Sequence, residues 1–263
     1  MSLPPAPELS KFLDQLCEAA ALQTMPRFRT PLSIDNKLKG DFDPVTEADQ
    51  QAEKAIRTLL EERFPDHGIV GEEFGVTRAQ ARYQWIIDPV DGTRAFISGL
   101  PVWGTLIGLY DNGRPVAGVM DQPFTGERYV GIEGQGSLRV RGSDPLQLQT
   151  SSVSQLHEAT LMTTSPDLFV SPTEQQFFKV QQEVKLSRYG CDCYAYCLLA
   201  AGHVDIVVES GLNIYDIAAL IPIIEAGGGL VTSWSGEDAS KGGTILAAAN
   251  HELHRQAMEL LAS

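Results

Sequence analysis

Trp85-Ile86-Ile87-Asp88-Pro89-Val90-Asp91-Gly92-Thr93 is the stretch on which the fold turns. Its apolar run predicts a strand that delivers Asp88 at its C-terminal end, where open sheets place ligand sites. Pro89 fixes the backbone and Asp91-Gly92 forces a turn, so the two carboxylates converge. Converging carboxylates repel, and one pKa rises unless a cation sits between them. Asp-Gly alone is an everyday turn. The pair on one rigid strand end points instead to a metal.

Upstream, Leu9, Phe12, Leu13, Leu16 and Ala20 form a helical stripe, and the polar, glycine-containing residues 30–43 read as a loop. A second helix carries Ala52, Ala55, Ile56, Leu59 and Leu60 on one face, with Thr46 as its N-cap. Residues 68–71 and 83–87 read as short strands, each followed by carboxylates. From Val102 the pattern is strand, Asn112-Gly113 turn, strand, then another strand at 128–132. The first half is therefore expected to be helices on a largely antiparallel sheet.

The second half alternates strand and helix: strands at 159–163, 204–208, 230–233 and 244–248, helices at 173–184, 194–201, 215–226 and 252–261. Gly202 and Gly227-Gly228-Gly229 close two of those helices, and Asn250 caps the last. This is a layered α/β half. The change falls near residues 140–150, giving an N-terminal α+β half over 1–145 and a C-terminal α/β half over 146–263. There is no internal repeat and no low-complexity tract.

The 263 residues are 43% hydrophobic and 21% charged, ordinary for a globular chain with a sizeable core. Lys and Arg number 20 against 34 Asp and Glu, a net charge of -14. Such a surface repels phosphate backbones and gives nucleic-acid binding no electrostatic support. A phosphorylated small molecule stays admissible, because bound divalent cations reverse the local sign. No apolar run approaches the roughly 20 residues that span a bilayer. The opening Met1-Ser2-Leu3-Pro4-Pro5-Ala6-Pro7 lacks the parts of a signal peptide, so the expectation is a cytoplasmic protein without a membrane partner. Cys17, Cys191, Cys193 and Cys197 show no zinc-ligand spacing and are expected to be small buried residues in a reducing compartment.

Three more acidic features join the first pair. Glu72 follows the apolar pair Ile69-Val70; Asp49 lies at the start of the second helix, where it also matches a capping pattern with Thr46; Asp216 opens the helix at 215, where macrodipole compensation explains it equally well. Singly, each has a structural explanation. Together, four acidic groups at element ends with no answering basic run favour a shared cation site of hard oxygen donors, suited to Mg²⁺, Mn²⁺ or Ca²⁺ rather than zinc. His251-Glu252-Leu253-His254 has the i, i+3 spacing, not the i, i+4 of a zincin helix, and reads as an exposed helix start. No GxxxxGK[ST] loop and no cysteine-phosphatase spacing occur. Asp41-Phe42-Asp43-Pro44-Val45 looks like an aspartyl-phosphate motif, but the preceding Asp35-Asn36-Lys37-Leu38-Lys39-Gly40 is too polar for the strand it needs.

These motifs resemble those of the inositol monophosphatase family: Pro44-Val45-Thr46-Glu47-Ala48-Asp49, Gly71-Glu72-Glu73, Asp88-Pro89-Val90-Asp91-Gly92-Thr93, and Tyr215-Asp216-Ile217-Ala218-Ala219 with Glu225-Ala226-Gly227-Gly228. Tyr215 stands where the family's motif has tryptophan. The resemblance implies a layered αβαβα sandwich of the α+β class. It implies Glu72, Asp88, Asp91 and Asp216 as side-chain metal ligands, the Val90 carbonyl as another, and two or three Mg²⁺ ions, with Mn²⁺ as a substitute. Asp49 and Thr93 resemble the pair that polarises the attacking water, with Glu72 assisting through its metal. The N–H groups of Gly92 and Thr93 are expected to hold phosphate oxygens. On this reading the first half carries most metal ligands and the second completes the metal and substrate site.

Residues 93–106, 122–128 and Arg188-Tyr189-Gly190-Cys191-Asp192-Cys193-Tyr194-Ala195-Tyr196 look like the histidinol-phosphate phosphatase branch, with Cys191 where that branch usually has glycine. The implied activity is Mg²⁺-dependent hydrolysis of L-histidinol phosphate by direct attack of water, a stage of histidine synthesis, in a homodimer. A substrate bearing ammonium and imidazole calls for anions beyond the metal cluster. Asp192, ahead of the helix at 194, and Glu209, just after a strand, are the candidates, and Arg94 and Arg188 are expected to steady those carboxylates or the phosphate. The alternative is the same chemistry on inositol monophosphate or another small sugar phosphate. A non-catalytic, cation-binding regulatory protein is the rival of a different class. Asp49 and Thr93 argue against it, because a structural metal needs no water-activating pair.

Overall fold

The apolar run at 85–87 is the buried middle of a nine-residue strand. The computed structural model describes residues 3–31, 34–36, 44–132, 135–140 and 143–262. Helix α1 (Ala6–Thr24) is followed by a two-stranded ribbon of β1 (Ile34–Asn36) and β2 (Pro44–Thr46), then by α2 (Glu47–Arg63). A strand thus lies inside the segment read as a loop. Residues 37–43, including the Asp41 end of the rejected phosphatase-like motif, fall outside the described residues.

The first sheet has eight strands: β3 (Gly68–Gly71), β4 (Gly75–Thr77), β5 (Tyr83–Asp91), β6 (Gly104–Asp111), β7 (Arg114–Gln122), β8 (Glu127–Ile132), β9 (Gln135–Val140) and β10 (Leu146–Gln147). Their order is β10-β9-β8-β7-β6-β5-β3-β4, antiparallel except where β3 runs parallel to β5. The short helix α3 (Thr93–Ile97) leaves β5 directly after its last carboxylate. The second sheet comprises β11 (Thr160–Thr163), β12 (Leu186–Tyr189), β13 (Ile206–Leu212), β14 (Leu230–Ser233) and β15 (Gly243–Ala248) in the order β12-β11-β13-β15-β14. Its helices are α4 (Thr173–Glu183), α5 (Asp192–Ala200), α6 (Ile214–Ile217), α7 (Leu220–Ala226) and α8 (His251–Leu261).

Side-chain alternation turns these elements into five layers. On β5, Trp85 and Ile87 face α1 and α2, meeting Leu13, Leu16, Ile56 and Leu60. The opposite face of the first sheet, through Leu106, Met120 and Tyr129, packs on α5 and α7, whose other side meets Met162, Val207, Ile245 and Ala247 of the second sheet. Helices α4 and α8 close the outside through Phe177, Val180, Leu253 and Ala257. The result is α, β, α, β, α. Among the described residues, no helix is long and apolar enough to cross a membrane.

A row of glycines sets how closely the middle layer approaches. Gly108, Gly118, Gly131 and Gly136 are register partners across β6, β7, β8 and β9. A Cβ on Gly118 would stand 2.0 Å from the Ala219 carbonyl oxygen, and one on Gly131 2.3 Å from that of Pro222. The backbone of the α6–α7 segment therefore lies in a furrow with no side chains between it and the sheet. The single helix expected over 215–226 is two, because Pro222 has no N–H to bond the carbonyl four residues back and the chain turns at Ala218-Ala219.

Candidate active site

Side chains three apart on a strand point to opposite faces, yet Asp88 and Asp91 share one site. The register explains it: Asp88 pairs with Leu106 and Asp91 with Gly104, so β5 spends one extra residue between them. This β-bulge contains Pro89, which has no N–H to lose from the ladder, and Thr105 Oγ1 donates to the Pro89 carbonyl at 2.9 Å. The bulge re-aims Asp91 beside Asp88. Asp216 arrives from α6, third residue of a turn capped reciprocally with Asn213, whose N–H donates to Asp216 Oδ2 at 2.6 Å. One carboxylate oxygen each from Asp88, Asp91 and Asp216 lie within 4.8 Å of one another.

Burial raises the pKa of Asp88 well above its ordinary value, and the charges of Glu72, Asp91 and Asp216 push it further. Asp91 is raised likewise, by burial first and then by Asp192 and Asp216. Converging carboxylate oxygens that repel one another, buried at Asp88 and half-buried at Asp91 and Asp216, are all hard donors and fit a hard divalent cation. Glu72 enters at the end of β3, its N–H donating to the Ile87 carbonyl at 3.2 Å, and borders the same cavity.

Asp49 turns out to have both of its expected contacts. Its Oδ2 accepts from the Thr46 N–H at 2.9 Å and from Thr46 Oγ1 at 2.6 Å, while Thr46 Oγ1 accepts from Ala48 N–H at 3.1 Å. Its Oδ1 faces Thr93 Oγ1 at 3.4 Å, and that hydroxyl also lies 3.1 Å from the Val90 carbonyl. Burial, the largest influence, raises the Asp49 pKa against the lowering by Thr46.

The turn that carries Glu72 is braced by two residues that sequence reasoning passed over. Glu53, fully buried on α2, accepts from Glu73 N–H at 2.8 Å, Phe74 N–H at 3.2 Å and Arg57 Nε at 2.7 Å. Arg57 in turn donates to the Gly75 carbonyl at 2.5 Å. The available signal was an i, i+4 Glu–Arg pair adjoining the apolar stripe rather than opposite it.

Glu72, Asp88, Asp91 and Asp216 open on a cavity of about 240 Å³, sized for a small metabolite, whereas Asp49 lies outside its lining. Val90, Gly92, Thr93 and Arg94 line it from the bulge side, Asp192, Tyr196 and Glu209 from the other. Asp192 is the first residue of α5, at φ 44°; burial lifts its pKa to about 6, against a lowering by Arg94. Glu209 lies inside β13 rather than after it, 1% exposed, accepting from Thr164 N–H at 2.5 Å. Burial pushes its pKa up to about 7. Arg188 stands exposed on β12, outside the cavity lining. Cys17, Cys193 and Cys197 are buried free thiols, and Cys191 is half-buried.

Residues 7–263 match the model of the inositol monophosphatase family. The chain is 41% identical to the chloroplastic bifunctional phosphatase IMPL2 of Arabidopsis thaliana, over 97% of this chain and 76% of that protein. It is 37% identical to a histidinol-phosphatase of Mycobacterium tuberculosis, over 88% of each. Among solved structures, an inositol monophosphatase from Zymomonas mobilis superposes with a TM-score of 0.88 at 40% identity, covering 99% of this chain and all of that one. With the layered fold and the acidic cluster already in place, a match along nearly the whole chain leaves one conclusion: it belongs to the inositol monophosphatase family and is a metal-dependent phosphatase.

Proposed function

We propose that the protein hydrolyses L-histidinol phosphate to L-histidinol and phosphate, with Mg²⁺ as its cation. The observation that carries the reading is two anionic zones in one cavity. Asp88, Asp91 and Asp216 form the first, which tolerates phosphate only through a cation. Asp192 and Glu209 form the second, which suits an ammonium or imidazolium directly. The name of the Mycobacterium tuberculosis relative supports the same substrate. The Zymomonas structure's name favours a second reading, inositol monophosphate or another sugar phosphate. The proposal includes a cytoplasmic homodimer, as the resemblance implies.

In this reading Glu72, Asp88, Asp91, Asp216 and the Val90 carbonyl hold the metal. A bound divalent cation lowers the pKa of water, neutralises phosphate charge and stabilises a leaving alkoxide. Thr93 Oγ1 orients the attacking water and relays its proton toward Asp49 Oδ1, which Thr46 holds in place through Oδ2. Burial makes Asp49 a stronger base than an exposed aspartate. The Gly92 and Thr93 N–H groups, at the start of α3, have no acceptor within that helix and serve the phosphate oxygens. No phosphoenzyme forms.

The test is phosphate release from a panel of histidinol, inositol and nucleotide monophosphates, with Mg²⁺ and with excess chelator. Histidinol phosphate should be the best substrate, and chelator should abolish turnover. Preference for inositol phosphate would establish the second reading, and full activity in chelator would sink both.

A further inference from the structure

Helix α5 is apolar through most of its buried face, yet Tyr196, a residue of the cavity wall, carries a buried hydroxyl. The residue is 3% exposed, and its Oη has no hydrogen-bond partner among the described residues. Phenylalanine would fill the same space without burying an unpaired polar atom, so the hydroxyl is a cost to folding that packing does not explain. Burial keeps the phenol protonated, as do the nearby carboxylates of Glu209, Asp91 and Asp216, in that order. The hydroxyl is thus held neutral within the influence of both anionic zones, its oxygen able to accept from a cationic N–H donor. A substrate spanning those zones presents its phosphate to one and the charged end of its alcohol to the other. What passes between them is the polar part of the leaving group nearest the ester.

We propose that Tyr196 Oη hydrogen-bonds the leaving-group half of the substrate, at the polar substituent beside the ester carbon, and is a specificity-determining residue. The inference rests on the proposed reading of a polar, cationic leaving group. It makes Tyr196 a binding group for the alcohol, with no part in the chemistry at phosphorus.

Tyr196→Phe, purified and assayed at saturating Mg²⁺, tests it on three esters: histidinol phosphate, an unbranched alkyl phosphate and 4-nitrophenyl phosphate. Expected is a loss of about tenfold in kcat/KM on histidinol phosphate, carried by KM, the lower range for one hydrogen bond to a charged group. The inhibition constant of L-histidinol should rise by a similar factor. The other two esters should change by less than about twofold, and the melting temperature should hold or rise. Equal losses on all three esters would overturn the proposal by placing Tyr196 at the phosphate or in the scaffold. A kcat loss on both alkyl esters, with nitrophenyl phosphate spared, would overturn it in favour of proton donation to the alkoxide. Unchanged kinetics with a raised melting temperature would show an idle buried hydroxyl. Should the wild type ignore histidinol phosphate, the functional reading fails separately, and Tyr196 is judged identically on the polar ester the wild type prefers.

Discussion

Asp49 is a helix cap and a candidate base with the same carboxylate, each oxygen serving one task. Replacing it with asparagine keeps the cap competent, at a stability cost of at most about 1 kcal/mol. The same change removes the base, so kcat should fall by about 10²–10⁴-fold in steady-state assays. A stable variant with near-normal kcat would leave Asp49 as a cap alone. Glu209 offers a test through pH. Its folded pKa is about 7 against an ordinary 4.5, because burial disfavours the charged form. Folding therefore favours the protonated acid: that contribution is complete below pH 4.5, declines as pH rises, and is lost above 7. Its size is on the order of 3 kcal/mol. Thermal melts should show wild type losing stability relative to Glu209→Gln across this window, while KM for a cationic substrate falls as Glu209 ionises. The convergence of Asp88, Asp91 and Asp216 was legible in sequence because short motifs hold them at element ends. Tyr196, Glu53 and the burial of Glu209 were not, since each depends on what another segment lays over it.

At the scale of elements, strands with strong alternation and helices with a clear stripe matched their expected places, as α1 and α2 show. The strands β4, β9 and β12 went unseen because they carry few buried residues, and a short, partly solvated strand leaves little period to detect. Neither is a bulge visible in one sequence, since it exists only as a mismatch between two strands. The brace between α2 and the turn after β3 belongs here too. Glu53→Gln leaves Arg57 buried without its counter-charge, a loss of about 3–5 kcal/mol. If the brace also positions Glu72, the variant should bind Mg²⁺ more weakly, seen as a smaller rise in melting temperature on adding the ion. A merely structural pair would lower the melts with and without Mg²⁺ equally, leaving that increment intact.

At the scale of the whole molecule, the acidic cluster sits where both sheets and the middle helices meet, so its repulsion opposes folding of the entire chain. A cation bound there stabilises the native state by about 2.7 kcal/mol at a hundredfold excess over its dissociation constant. Calorimetry should accordingly show melting rising with Mg²⁺ and returning to baseline in chelator; a melting temperature indifferent to both would remove the cation from this site. The order of layers was beyond the sequence alone, because Gly108, Gly118, Gly131 and Gly136 become a row only once β6 to β9 are paired. That furrow has a further effect. A one-residue slip in the β6–β7 hairpin turns every side chain to the wrong face and sets Ala117 or Val119 under Ala219. The α6–α7 segment then cannot seat, and Asp216 never reaches its partners. Strand pairing is in this way proofread at the acidic cluster: a miszipped chain forfeits any ion that would have stabilised it.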